Sequence, residues 1–150
     1  MAKRTKIEGV TITPLQQIVD DRGAVLHMLR NDSEDFTGFG ECYFSEIFTG
    51  AVKAWKLHEK QTQLLSVPVG KVRFVLYDDR AGSPSKGEAE IVELGRPDDY
   101  SRIRIPPGIW YGFTCISDTN ALIVNCADLP FDQSERRSRP PKDPEIPYEW

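Results

Sequence analysis

Residues 54–61 read AWKLHEKQ and hold one of the two histidines in the chain, with Lys56 and Lys60 two positions to either side. In an extended chain, successive side chains point to opposite faces. Lys56, His58 and Lys60 then share one face, and Trp55, Leu57 and Glu59 share the other. Two ammonium groups beside an imidazole disfavour its protonation and lower its pKa. A neutral imidazole is a usable base near pH 7. Lysines next to it can hold a phosphate or a developing oxyanion. A solvated face of Lys, His and Lys fits the same alternation, and periodicity by itself favours that simpler account.

The elements that must position these residues read as strands. Apolar residues come in short alternating runs rich in β-branched and aromatic types, closed by Gly, Pro or Asp. Strands are expected over 10–20, with Pro14 tolerated at an edge, and over 24–30, with DRG (21–23) as the turn between them. Further strands are expected over 42–48, 51–61, 64–70 and 71–80, and then in EAEIVEL, SRIRIPPG, WYGFTCIS and ALIVNCA. The one competing helical turn lies near Arg96 to Asp99. From Leu129 the chain turns polar and Pro-rich. It ends in aromatic residues, which predicts a tail that packs back on the body or on a partner. The reading is an all-β jelly-roll barrel in one domain, 1–150, with a wrapping C-terminal tail.

Composition narrows the function. A chain of 150 residues suits one domain with a real core. With 19 basic and 23 acidic residues, a nucleic-acid backbone is disfavoured as the main partner. No apolar run spans a bilayer, and the start has no apolar segment of a secretion signal. Cys42, Cys115 and Cys126 are scattered, so neither a disulfide framework nor a zinc cluster is expected. Cys115 and Cys126 sit in apolar runs and read as buried free thiols. The expected location is a reducing cytoplasm.

Two stretches resemble the motifs of the cupin superfamily. Residues 50–70, GAVKAWKLHEKQTQLLSVPVG, have the spacing of its first motif, and IPPGIWYGF (105–113) resembles its second. Metal-binding cupins offer three histidines and a glutamate at positions that here hold Lys56, His58, Gln63 and Tyr111. One imidazole with a neighbouring ammonium is a poor site for a divalent cation, so no metal is expected.

Within the cupins, residues 14–150 resemble the dTDP-4-dehydrorhamnose 3,5-epimerase family. DDRGAVLH is similar to its D-x-R-G-x-F-x-E opening, and AWKLHEKQ to L-R-G-L-H-x-Q. VGKVRFVLYDDRAGSPSKGEAE, IPPGIWYGFTCISDT and SERRSRPPKDPEIPYEW follow in the family's order. The resemblance implies proton abstraction beside the ketone of a nucleotide-linked, most simply dTDP-linked, 4-keto-6-deoxy sugar, with no cofactor. It implies His58 as the base, Asp143 as the carboxylate that orients it, and Arg22 as a contact to the nucleotide diphosphate. It also implies a homodimer with exchanged N-terminal strands and a role in surface polysaccharide or deoxysugar biosynthesis.

The departures from the pattern are specific. The family's acid tyrosine lies in a Y-K-x-x-x-Y-Y stretch, whose counterpart VNCADLPFDQSE (124–135) has no tyrosine. Trp55 stands in place of an arginine, Gln63 in place of a lysine, Tyr111 in place of a histidine and His27 in place of a glutamate. Tyr111 is then a candidate proton donor, or simply a wall of the pocket. Lys56, Lys60 and Arg104 are candidate phosphate contacts, and Gln63 is a candidate substrate contact without a lysine's charge. Trp55 and Trp110 are candidate stacking platforms, or packing residues. Arg136, Arg137 and Arg139 form an anion-binding lip or, more simply, a solvated run. Three readings follow: an epimerase or 3,4-ketoisomerase, a sugar-nucleotide binding cupin without turnover, and a structural cupin without a sugar ligand.

Overall fold

The structure is a computed structural model that describes residues 2–150. In chain order the strands are β1 (Lys3–Arg4), β2 (Thr11–Pro14), β3 (Gln17–Asp20), β4 (Gly23–Leu26), β5 (Glu41–Ile47), β6 (Val52–His58), β7 (Gln63–Val69), β8 (Lys71–Asp78), β9 (Ala89–Gly95), β10 (Ser101–Ile105), β11 (Ile109–Cys115), β12 (Ala121–Ala127) and β13 (Arg136–Ser138). A six-stranded sheet in the order β1-β2-β10-β7-β12-β5 faces a five-stranded sheet in the order β13-β6-β11-β8-β9, and β3 and β4 form a separate ribbon. Every pairing between these strands is antiparallel. The all-β expectation therefore holds.

The alternation sorts side chains onto two faces. On β8, Val72, Phe74 and Leu76 enter the core between the sheets, together with Leu65, Val67, Ile103, Ile105, Tyr111, Phe113 and Ile123. Val75 points the other way, into a second apolar cluster with Trp55, Leu57, Trp110 and Ile146. That cluster exists because the C-terminal tail covers the outer face of the five-stranded sheet. The rings of Trp55 and Trp150 lie 5.1 Å apart between centroids. Gly112 permits this approach, since a Cβ there would meet the Ala54 Cβ at 2.5 Å and the Trp150 ring at 2.9 Å.

Three expected boundaries differ. The strand expected over 10–20 breaks at Leu15 and Gln16, where the backbone changes partners: the Leu15 amide donates to the Tyr100 carbonyl and Gln16 accepts from the His27 amide. The strand expected over 24–30 stops at Leu26. The turn at 96–98 is not helical. The tail forms a single 3₁₀ turn, Gln133–Glu135, capped by the Asp132 side chain, and then β13. Sequence alternation gave no sign of β13, because all three of its residues are exposed.

The DDRAGSPSKG turn after β8 is built around a buried carboxylate. Asp78 accepts hydrogen bonds from Arg80 at 2.9 Å and from the hydroxyls of Ser83 and Ser85, both at 2.6 Å. Burial opposes its charge, but these donors prevail and hold its pKa well below the usual carboxylate range.

Candidate active site

β6 brings Lys56 and His58 to one face, as the alternation predicts, and that face is the inner one rather than the solvated face that periodicity favoured. Tyr111 of β11 lies directly across from Lys56. Arg136 of β13 lies directly across from His58. Side chains of directly paired residues share a face, so the two strands flanking β6 add a phenol and a guanidinium to the same surface. The His58 and Tyr111 rings are 6.4 Å apart. The Lys56 ammonium lies 5.2 Å from the centre of the Tyr111 ring and 5.5 Å from that of Phe113.

His58 is 6% exposed. Its Nδ1 bonds the Glu135 carboxylate, Nδ1 to Oε2 at 2.7 Å. The other carboxylate oxygen accepts from the backbone amides of Lys60, at 3.0 Å, and Gln61, at 2.8 Å. Burial alone would raise the Glu135 pKa; the Gln61 amide, His58 and the Lys60 amide overcome this and hold it below its ordinary value. A carboxylate at Nδ1 fixes the imidazole as the Nδ1–H tautomer and leaves the Nε2 lone pair for a reacting proton. Among the described residues none hydrogen-bonds Nε2.

Desolvation lowers the His58 pKa, Glu135 opposes this, and Lys56 and Arg136 add to it. The imidazole is therefore neutral near pH 7, as a base requires. Desolvation, with Arg136 and Lys53 nearby, brings Lys56 down to about 8. Among the described residues no carboxylate pairs with Lys56. Tyr111 is 1% exposed, and its hydroxyl has no hydrogen-bond partner among the described residues.

A polar chain runs from this surface to the opposite sheet. The Gln61 amide is bonded to Glu135, and the Gln61 side-chain carbonyl accepts from Gln63 Nε2 at 2.6 Å. Gln63 Oε1 accepts from Asn125 Nδ2, which also donates to the Tyr43 hydroxyl, there at 2.8 Å. Tyr43 stands on β5, on the inward side that Ile47 also occupies. The facing sheets therefore present an imidazole on one side and a phenol on the other.

Comparison with known proteins shows the family of the chain. The sequence profile of the family described as dTDP-4-dehydrorhamnose 3,5-epimerase matches residues 4–150. The chain belongs to that family. It is a sugar-nucleotide 3,5-epimerase-family enzyme with the cupin fold. The crystal structure of a dTDP sugar isomerase from Desulfovibrio desulfuricans G20 is 50% identical with a TM-score of 0.97, covering 99% of this chain and 95% of that one. A spore coat polysaccharide biosynthesis protein of Bacillus subtilis (strain 168) is 32% identical over 96% of both chains. A Haloferax volcanii protein described as a probable low-salt glycan biosynthesis epimerase is also 32% identical, over 95% of this chain and 89% of its own.

In this family member, the residues expected at the site divide into two groups. Lys56, His58, Gln63 and Tyr111 all face the interior. Gln63 is 1% exposed and both ends of its amide are bonded to protein, so it braces the chain of amides. Lys60 sends its side chain to solvent and uses its backbone amide to hold Glu135.

The remaining expected residues lie elsewhere within the chain. The carboxylate behind His58 is that of Glu135, not that of Asp143. Asp143 instead accepts from the Glu145 amide at 2.9 Å and lies 3.9 Å from Arg139. Trp55 is on the outer face, where its indole donates to the Pro141 carbonyl at 3.2 Å. Trp110 shares that face, with Arg139 stacked 4.5 Å from its ring. Arg104 alternates out of the core between Ile103 and Ile105 and donates to the Gly9 carbonyl at 2.7 Å. Arg22 is at the exposed tip of the β3–β4 ribbon, paired with Asp20 at 2.8 Å.

The sequence reading does not place Glu135, Arg136 or Tyr43 beside His58, although it offers Arg136 as part of an anion-binding lip. The first two lie in a run that reads as solvated, and only the pairing of β13 with β6 brings them to His58. Tyr43 carried a usable signal: it alternates in register with Ser45 and Ile47 toward the interior.

Proposed function

We propose that the protein epimerises a dTDP-linked 4-keto-6-deoxy sugar, with His58 as the base that removes a proton from the carbon beside the ketone. The observation that carries this reading is the buried His58–Glu135 pair, with Nε2 unbonded and Lys56 beside it. Proton loss places negative charge on the ketone oxygen. The unpaired Lys56 ammonium is the cation suited to that charge, since an electrostatic partner is strongest in a desolvated site. Glu135 holds the imidazole tautomer and favours the imidazolium that forms. Arg136 and the exposed Lys60 supply positive charge for the diphosphate at the entrance. The relatives described as a polysaccharide biosynthesis protein and a glycan biosynthesis epimerase support a role in building surface sugars. The setting is the cytoplasm, where Cys42, Cys115 and Cys126 remain free thiols.

The working unit in this reading is a homodimer. The β3–β4 ribbon presents Ile18 and its cross-strand partner Val25 on one face, at 49 and 60% exposure, and Val19 on the other, at 65%, with no cover among the described residues. A second copy laid against that ribbon would bury it and bring Arg22 toward the neighbouring site.

The test is incubation with dTDP-4-keto-6-deoxyglucose in D₂O, following C3 and C5 by NMR. Deuterium uptake with an inverted centre supports epimerisation. A carbonyl moved to C3 indicates a 3,4-ketoisomerase. Binding of dTDP without exchange indicates a sugar-nucleotide binding protein, and absence of binding contradicts all three.

A further inference from the structure

An epimerase that inverts a centre must remove a proton from one face and return one to the other. The returning acid therefore belongs across the substrate from the base. Residues 124–135, the counterpart of the stretch that carries the acid tyrosine in the family resemblance, contain no tyrosine. Tyr111 is on β11, next to β6, in the same sheet as His58. Its ring is tilted only 31° from the imidazole, so it belongs to the same wall.

We propose that Tyr43 is the acid that returns the proton. It stands on β5 in the six-stranded sheet, whereas His58 stands on β6 in the five-stranded sheet. Both face the interior, so a sugar ring lying between the sheets has one on each side. The Tyr43 hydroxyl already accepts from Asn125 Nδ2. Its own proton is thus free to point at a ligand. The residue is 37% exposed, so water can restore the proton after each turnover.

This proposal rests on the epimerase reading and adds its second half. His58 Nε2 takes the C–H proton, and the bond's electrons form the enolate, with its charge on the C4 oxygen beside Lys56. The enolate carbon then takes the Tyr43 O–H proton on the opposite face, and the ketone is restored. A phenolate and an imidazolium remain, and exchange with water resets both. The charged groups around Tyr43 agree with this role. Burial raises its pKa and Glu41 on its own strand adds to that, while the Asn125 bond and Arg136 of β13 lower it. Tyr111 across the interior remains a neutral phenol, its pKa raised above all by burial. Tyr43 is therefore protonated at neutral pH, as an acid must be.

The variant Tyr43→Phe separates the two half-reactions. In D₂O, His58 should still exchange the substrate proton on its own face, within about fivefold of the parent rate. Formation of the inverted product should fall about a hundredfold or more. Inverted product at the parent rate overturns the assignment, as does loss of inversion confined to Tyr111→Phe. If the parent enzyme itself shows neither exchange nor inversion, the epimerase reading fails instead, so the two failures are distinguishable. Replacing Tyr43 with 3-fluorotyrosine keeps the ring and the hydroxyl and guards against misfolding. The more acidic phenol should move the basic limb of inversion to lower pH, and an unmoved limb contradicts the proposal.

Discussion

Glu135 and His58 lie 77 positions apart and share a 2.7 Å hydrogen bond, Oε2 to Nδ1, in the interior of the protein. The bond exists because β13 adds to the edge of β6 and sets Arg136 opposite His58. The 3₁₀ turn before it places Glu135 under the loop amides of Lys60 and Gln61. The tail of this protein therefore supplies the carboxylate that holds the proposed base.

Glu135→Gln should lower turnover by about ten- to a hundredfold while leaving dTDP affinity nearly unchanged. The carboxylate raises the His58 pKa against burial and the nearby cations, so its loss makes the imidazole a weaker base. The base works when neutral, and its pKa lies below the ordinary 6.5. In the parent enzyme the acid limb of kcat should therefore fall below pH 6.5, and in Glu135→Gln it should move lower still. Stability follows the same sign. With the folded-state value depressed, the unfolded chain takes the proton first. This contribution is present above pH 6.5 and is lost as pH falls through the folded-state value. Kinetics across pH 5–8 check the first claim and denaturant titrations the second.

Lys56→Met should stabilise the fold while impairing catalysis. Lys56 is brought from 10.5 to about 8 mainly by desolvation, so keeping it charged at pH 7 costs about 3 kcal/mol. The variant should be more stable at pH 7 by up to that amount. Its advantage should shrink as pH rises from about 8 toward 10.5, where folded Lys56 is already neutral and the unfolded lysine is still charged. Turnover should drop about a hundredfold if the ammonium meets the enolate oxygen. Urea titrations at pH 7 and pH 10 measure the first effect and steady-state kinetics the second.

By light scattering the parent chain is expected to be a dimer and Val25→Asp on the ribbon a monomer. Arg22→Ala should remain dimeric but raise KM about tenfold or more, with a smaller change in kcat, because a phosphate contact serves ground state and transition state alike. A monomeric parent chain would contradict the proposed exchange of the ribbon.

Gly112→Ala tests the seat of the tail. The added methyl group would meet Ala54 and Trp150 far inside van der Waals distance, so the tail must shift. A loss of about 1–3 kcal/mol is expected. The emission of Trp55 and Trp150 should change in the folded state, which reports the altered packing directly.

Much of the strand pattern was legible because alternation records which side of a sheet is wet. That Lys56 and His58 share one face, opposite Trp55, followed from parity, but parity by itself favoured a solvated face, and only the packing of the two sheets shows that it is the inner one. Position within the fold was harder to read. Trp55 looks like a stacking platform until the tail is seen to cover its face. Arg104 looks like a phosphate contact until Ile103 and Ile105 are seen to own the interior side of β10. Asp143 was the carboxylate expected behind His58, but local sequence carries no information about which tail residue reaches β6. The strand that decides this, β13, is short and exposed and forms only because a sheet edge is available to it.

The most direct test of the account is the rate of solvent exchange at C3 and C5 of dTDP-4-keto-6-deoxyglucose, compared between the parent enzyme and His58→Ala. The account predicts deuterium uptake in the parent, at least a hundredfold less in His58→Ala, and dTDP binding retained in both. Equal exchange in the two proteins would show that His58 is not the base.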